Sequence, residues 1–111
     1  MIKYEIKRSG EAHPVPVVVF EEEAYGLAGT FLLAEARSFG AEILSAMDEV
    51  CVGGRSCSFF SGNAFSLEIT PSFTKVVDDI LGKECRISTK DFREIAGEYC
   101  RACEKISGMP K

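Results

Sequence analysis

Cys100 and Cys103 stand in the Cys-x-x-Cys spacing that redox enzymes use for a reactive thiol pair. Such pairs gain a low thiol pKa at a helix N-terminus, where the helix dipole favours the thiolate. Here the pair falls near the C-terminal end of a predicted helix, and Cys103 lies on the apolar stripe of that helix. The spacing therefore predicts two core thiols, with a redox pair in a thiol-dependent enzyme as the alternative.

The remaining thiols could add metal chemistry. Five cysteines are present, and this odd number without an export signal favours reduced thiols over a disulfide framework. Cys51 and Cys57 could join Cys100 and Cys103 in a four-thiolate zinc site. Such sites usually show two close pairs, whereas five residues separate Cys51 from Cys57. We expect no metal site.

Other catalytic residue types are sparse. His13 is the single histidine, and a dyad with Cys57 or Cys85 would need a tertiary proximity that the spacing does not imply. The glycines match neither Gly-x-Gly-x-x-Gly nor Gly-Lys-Ser/Thr, so no phosphate-binding loop is expected. We therefore expect a protein that is not an enzyme and holds no cofactor.

Carboxylates are the most prominent chemical group. Asp and Glu number 17 against 13 Lys and Arg, which gives a net charge of −4 and argues against direct nucleic-acid binding. A negative surface steers cationic proteins toward it, although it can also serve only solubility. Glu21, Glu22 and Glu23 are adjacent in the sequence. On a strand their side chains would alternate between the two faces, so the three carboxylates would not converge on a divalent cation. The clustered residues, which are our candidate partner contacts, are Glu21, Glu22, Glu23, Asp48, Glu49, Asp78 and Asp79.

The first half of the chain must position these groups on two strands and a helix. Alternating apolar and polar residues predict strands over 2–8 and 15–21, with Pro16 placing the second at an edge or a bulge. Residues 24–30 are ambiguous between a turn and further sheet. Apolar residues at spacings of three and four then predict a helix from Thr30 to the Gly53-Gly54 pair.

The second half reads as a meander followed by a helix. Alternation and turn residues predict strands over 56–60, 64–70 and 73–77, while 79–87 is a connection of unclear shape. A helix then begins at Ser88 or Thr89 and ends before Gly108 and Pro110.

Two adjacent aromatic residues stand out on the first strand of this meander. Phe59 and Phe60 must point to opposite faces of a strand. One of them is therefore either an exposed partner anchor or a residue covered by the long helix.

Together these elements give one α+β domain over residues 1–111, in the order β-β-α-β-β-β-α. We expect an antiparallel sheet of about five strands with two helices packed on one face. The chain has no apolar stretch near the ~20 residues that span a bilayer. Its N-terminus lacks the order of a secretory signal, so a cytoplasmic protein without membrane contact is expected.

Several segments resemble the small bacterial YacL-like proteins. They are Tyr4-Glu5, Met47-Asp48-Glu49-Val50, the stretch from Ser61 to Leu67, and Asp91-Phe92. That family implies no activity to carry over. In type, a small acidic α+β domain without a catalytic motif resembles the immunity proteins of bacterial toxin systems, including contact-dependent growth inhibition.

The second resemblance implies a role without assigning residues. An immunity protein binds its cognate toxin tightly and neutralises it. The sequence therefore predicts a protein that binds a cationic nuclease-type toxin through an acidic surface. The alternatives are a housekeeping or regulatory domain that self-associates as a homo-oligomer through a strand edge, and a thiol-dependent enzyme.

Overall fold

A computed structural model describes residues 2–10 and 14–107 and has the predicted α+β class. The strands in it are β1 Tyr4–Ser9, β2 Val15–Phe20, β3 Ser58–Ser61, β4 Phe65–Ile69, β5 Phe73–Asp78 and β6 Glu84–Ser88. The helical segments are a 3₁₀ turn at Glu23–Tyr25, α1 Gly26–Phe31, a π-helical segment Leu32–Ala36, α2 Arg37–Cys51 and α3 Thr89–Ser107.

The strands form two sheets rather than the single sheet that we predict from the sequence. β1 and β2 form an antiparallel ribbon, and the other four form an antiparallel sheet in the order β3-β4-β5-β6. β6 falls within the connection whose shape the sequence leaves open. A tight hairpin creates it, in which Asp78 N–H donates to the Lys83 carbonyl at 2.8 Å and Gly82 takes a φ of 74°. Only glycine adopts that φ without strain.

The long helical region begins at Gly26 rather than at Thr30. Glycines favour turns, but the packing of Gly29 accounts for its place within the helix. A Cβ at Gly29 would lie 3.0 Å from the Val18 carbonyl oxygen and 3.4 Å from the Phe20 ring. The glycine therefore lets α1 pack directly against β2.

A kink within α2 brings this helix close to α3. Phe39 has φ −122° and ψ 21°, which is not helical, and Gly40 follows it. A Cβ at Gly40 would lie 3.0 Å from the Cys100 Sγ atom. Small or backbone-exposing residues commonly mark such kinks, and here the missing side chain makes room for a thiol of α3.

The helices cover one face of the four-stranded sheet and enclose the core. Phe31 lies at its centre and contacts the rings of Phe60 and Phe65 edge-on, at centroid distances of 6.0 and 5.9 Å. Tyr99 is fully buried, and its hydroxyl donates to the Pro16 carbonyl at 2.7 Å. Full burial of each such ring contributes about 1.5–3 kcal/mol. α3 thereby connects the ribbon to the larger sheet.

The start of α3 is tied to the sheet by hydroxyl groups. The Thr89 hydroxyl donates to the Thr70 carbonyl at 2.6 Å and lies 2.8 Å from the Thr74 hydroxyl. Ser88 Oγ accepts the Asp91 N–H at 3.4 Å, as expected of a capping residue. The predicted end of the helix at Gly108 and Pro110 lies outside the described residues.

Candidate functional site

The solvent-facing side of the four-stranded sheet carries an exposed aromatic ring. Strand alternation buries Phe60 beneath the helices and turns Phe59 outward, where 66% of its surface is exposed. Of the two alternatives for this ring, exposure or coverage by the long helix, the structure shows exposure. Leaving a phenylalanine in water forgoes about 1.5–3 kcal/mol of burial free energy.

Phe59 belongs to a mixed aromatic and charged surface that we call the outer sheet patch. Its members share the outward face of neighbouring strands β3 to β6, and they are Phe59, Ser66, Glu68, Lys75, Val77 and Glu84. They line a depression of about 570 Å³ together with Phe60, Ser61 and Leu67 of the same strands β3 and β4. The volume and the ring beside it are suited to receiving a side chain from another molecule.

Two ion pairs hold the charged side chains of the outer sheet patch together. The ammonium of Lys75 lies 3.3 Å from Glu68 Oε2 and 3.3 Å from Glu84 Oε2. Hydrogen bonds to these two carboxylates raise the pKa of Lys75 above its ordinary value. Two carboxylates therefore share one ammonium group, and Arg86 lies opposite Lys75 on the same face. The charged residue directly opposite Phe59 is Glu68.

The β5–β6 turn borders the patch and exposes further apolar surface. Ile80 and Leu81 are both largely exposed at its tip. Asp79 links the turn to the patch, because its Oδ1 atom accepts the Ser66 hydroxyl at 2.9 Å. At the opposite end of the sheet the Arg86 guanidinium stacks 4.8 Å above the Phe73 ring.

The predicted contact residues Asp78 and Asp79 differ in what they can do. Asp78 is only 9% exposed, and its Oδ1 atom accepts the N–H groups of Ile80 and Leu81 at 2.9 Å each. It therefore shapes the β5–β6 turn. Asp79 is exposed at the border of the outer sheet patch.

Asp48 and Glu49 are both engaged within the chain. Asp48 forms a two-pronged ion pair with Arg93 of α3, at 2.7 and 3.1 Å. Hydrogen bonds from Arg93 lower the pKa of Asp48. Glu49 accepts the Ser58 hydroxyl at 2.5 Å and lies 3.3 Å from the Arg55 guanidinium. These contacts connect the end of α2 to α3 and to the start of β3.

Glu21, Glu22 and Glu23 are exposed after β2. Glu21 and Glu22 line a depression of about 190 Å³ with Lys3 and Tyr25. This group follows the ribbon, whereas Asp48–Glu49 and Asp78–Asp79 lie at opposite ends of the larger sheet. The structure does not bring the three predicted acidic groups together.

The cysteines are free thiols at scattered positions. Burial raises the pKa of Cys85, Cys100 and Cys103, and it is also the main cause of the raised pKa of Cys51. A raised pKa keeps a thiol protonated and unreactive at neutral pH. This gives the Cys100–Cys103 pair the character of core side chains.

Metal and histidine chemistry gain no support from the described ranges. Within residues 2–10 and 14–107, no three His, Cys, Asp or Glu side chains are arranged to hold a metal ion. His13, and with it the dyad considered with Cys57 or Cys85, lies outside the described residues. No helix in the same ranges is long and apolar enough to cross a membrane.

Comparisons with protein-family models, curated proteins and solved structures find no match for this chain. Its likeness to immunity proteins and to YacL-like proteins therefore stays a prediction from the sequence.

Glu35 is a buried hydrogen-bonding residue that is not among the residues predicted from the sequence. It is 1% exposed, and its carboxylate accepts the backbone N–H groups of Asn63, Ala64 and Phe65 at 3.0 to 3.2 Å. The π-helical segment aims it at the β3–β4 turn, and such segments often mark constrained sites. Its spacing of four residues from Phe31, on the apolar face, is the signal that could have identified it.

Proposed function

We propose that this protein binds a basic partner protein through the outer sheet patch, as an immunity protein binds a cationic nuclease-type toxin. The observation that carries the proposal is the exposed Phe59 ring beside a depression bordered by Glu68 and Glu84. Aromatic anchors surrounded by polar groups typically supply most of the affinity of a protein interface.

Charge supports a cationic partner. Glu68 and Glu84 share Lys75, and Asp79 adds a third carboxylate at the border of the patch. An arginine or lysine of the partner can therefore meet an acidic group next to an aromatic face. Such complementarity accelerates association and weakens with salt.

The proposal assigns different roles to the predicted acidic residues. Asp79 is a direct contact candidate because it borders the patch. Glu21, Glu22 and Glu23 are exposed elsewhere and act through long-range attraction. Asp48, Glu49 and Asp78 hold the fold together through their hydrogen bonds.

The test uses the protein encoded directly upstream of this chain's gene as the probe. We expect that upstream protein to contain a basic toxin-like domain. Calorimetry should detect a tight complex between the two proteins, and a nuclease assay should show that complex formation abolishes the activity of the toxin-like domain. Phe59→Ser should weaken the complex by at least about 30-fold, which is the scale of an interface hot spot. Val52→Ser is the matched control, since Val52 is 82% exposed outside the patch.

A charge series completes the design. Glu84→Lys should slow association most at low salt, whereas Glu104→Lys, an exposed substitution on α3, should not. An upstream product without a basic domain would contradict the toxin proposal. A complex equally affected by Phe59→Ser and Val52→Ser would show that the outer sheet patch is the wrong surface.

A further inference from the structure

The ribbon of β1 and β2 has one edge, on β1, that no other strand of the described residues pairs with. Within the described ranges, β1 pairs with β2 alone. Glu21 N–H donates to the Lys3 carbonyl at 3.1 Å, and the register is continuous from Tyr4 opposite Phe20. Since hydrogen-bonded and non-bonded pairs alternate along antiparallel strands, the N–H and C=O groups of Tyr4 and Ile6 point away from β2.

The other edge of the ribbon is covered. The outward carbonyl of Pro16 on β2 accepts the Tyr99 hydroxyl, and Gly29 of α1 approaches the Val18 carbonyl. Pro16 also has no N–H to leave unbonded, which suits its outward position. Among the residues that the structure describes, the outward backbone groups of Tyr4 and Ile6 on the β1 side are therefore the ones that the ribbon offers to a new strand, and such edges are templates for strand pairing.

Alternating charge along β1 restricts which strand can pair there. Lys3, Glu5 and Lys7 are exposed on one face. If a second β1 pairs antiparallel with Ile6 opposite Ile6, Glu5 of each copy faces Lys7 of the other. Shifting that register by two residues in either direction places Glu5 opposite Glu5 or Lys7 opposite Lys7, which is repulsive.

We propose that this chain forms a two-fold symmetric dimer through antiparallel pairing of β1 with β1 of a second copy, centred on Ile6. The pairing joins two ribbons into one four-stranded sheet. The contact is isologous, so each favourable Glu5–Lys7 pair occurs twice. Pairing centred on Tyr4 would also place opposite charges together, Lys3 with Glu5, but pairing centred on Ile6 overlaps more of β1. This inference is independent of the proposed toxin binding, which uses the other sheet.

Sedimentation velocity at low salt tests the dimer from micromolar to submillimolar concentrations. Wild type should show a monomer–dimer equilibrium. Glu5→Lys and Lys7→Glu should each weaken it on the order of tenfold or more, because each turns two opposite-charge pairs into two like-charge pairs. The double variant Glu5→Lys/Lys7→Glu should restore it.

Lys3→Glu is the matched control, since it changes charge by the same amount on the same face as Lys7→Glu. In the proposed register Lys3 faces Ser9 of the second copy, so dimerisation should persist. Phe59→Ser should also dimerise normally, which separates this interface from the outer sheet patch. A wild type that stays monomeric overturns the proposal. So does a Lys3→Glu effect equal to that of Lys7→Glu, or a charge swap that fails to restore the dimer.

Discussion

The carboxylate of Glu35 occupies the space that a side chain at residue 62 would need. A Cβ placed on Gly62 would overlap the Glu35 carboxylate group. Glu35 in turn binds three consecutive N–H groups of the β3–β4 turn. Helix and hairpin are thus fitted to each other, and the turn that orients β3 depends on a residue from the π-helical segment.

We predict that Gly62→Ala lowers the free energy of unfolding by about 1–3 kcal/mol, because it overpacks this contact. Urea denaturation measures the change. Gly54→Ala would not be a suitable control, since its φ of 73° introduces backbone strain. Gly26→Ala is suitable, because nothing lies within 4 Å of the added methyl, and it should not destabilise the protein.

Removing the opposing carboxylate should relieve that clash. In a Glu35→Ala background, Gly62→Ala should cost clearly less than in wild type, since residues in contact are energetically coupled. The double-mutant cycle gives the coupling energy directly. Additive effects would show that the two residues do not compete for space.

Glu35→Gln should destabilise the protein by about 1–3 kcal/mol, the range for leaving a buried hydrogen-bonding group unpaired. An amide has only one oxygen for the turn, so its NH₂ group would face an N–H donor. Glu42→Gln is the matched control, because Glu42 is exposed on α2. Equal stability of the two variants would contradict the role of the Glu35 carboxylate in stabilising the β3–β4 turn.

The Asp48–Arg93 ion pair predicts a pH dependence. Because the pKa of Asp48 is lowered in the folded state, its stabilising contribution is present above the unfolded pKa of about 3.9 and disappears as pH falls through the folded value. Asp48→Asn should therefore cost about 0.5–1 kcal/mol at neutral pH, as expected for a pair with partly exposed partners.

That difference between Asp48→Asn and wild type should shrink toward zero once the pH falls below the folded pKa of Asp48. Denaturation curves at a series of pH values measure it. Glu42→Gln provides the baseline for losing an exposed carboxylate from the same helix. A gap that stays constant down to acidic pH would argue that Asp48 acts through packing rather than through its charge.

Thiol labelling should divide the cysteines by burial. Cys51 and Cys57 are exposed and should react first with an aromatic disulfide reagent, whereas Cys85, Cys100 and Cys103 are partly buried and should react slowly. In the denatured protein all five thiols should react with the reagent. Rapid reaction of Cys100 or Cys103 below neutral pH would instead indicate an activated thiol and favour an enzyme.

Local patterns were enough to predict most elements. Alternation over Phe65–Ile69 and the opposed rings of Phe59 and Phe60 follow from strand geometry alone, and the structure confirms them. The start of the long helix was misplaced because glycines favour turns locally. Gly29 is instead accounted for by its contact with the Val18 carbonyl, which is a tertiary property.

The candidate site was less predictable for the same reason. Acidic clusters are visible in the sequence, but their partners are not. Arg93 reaches Asp48 across 45 positions of the chain, and Glu35 reaches the turn across 28 to 30. The division of the strands into two sheets is likewise set by how the helices pack between them.

That division has a consequence for valency. Strand pairing at β1 would leave the face of the other sheet free in both copies, so each assembly would carry two Phe59 surfaces. A partner that is itself multimeric, or present at high local density, would then bind both Phe59 surfaces of one dimer. It would dissociate from the dimer far more slowly than from a single monomer. Separate sheets allow this gain in avidity without any new contact at Phe59.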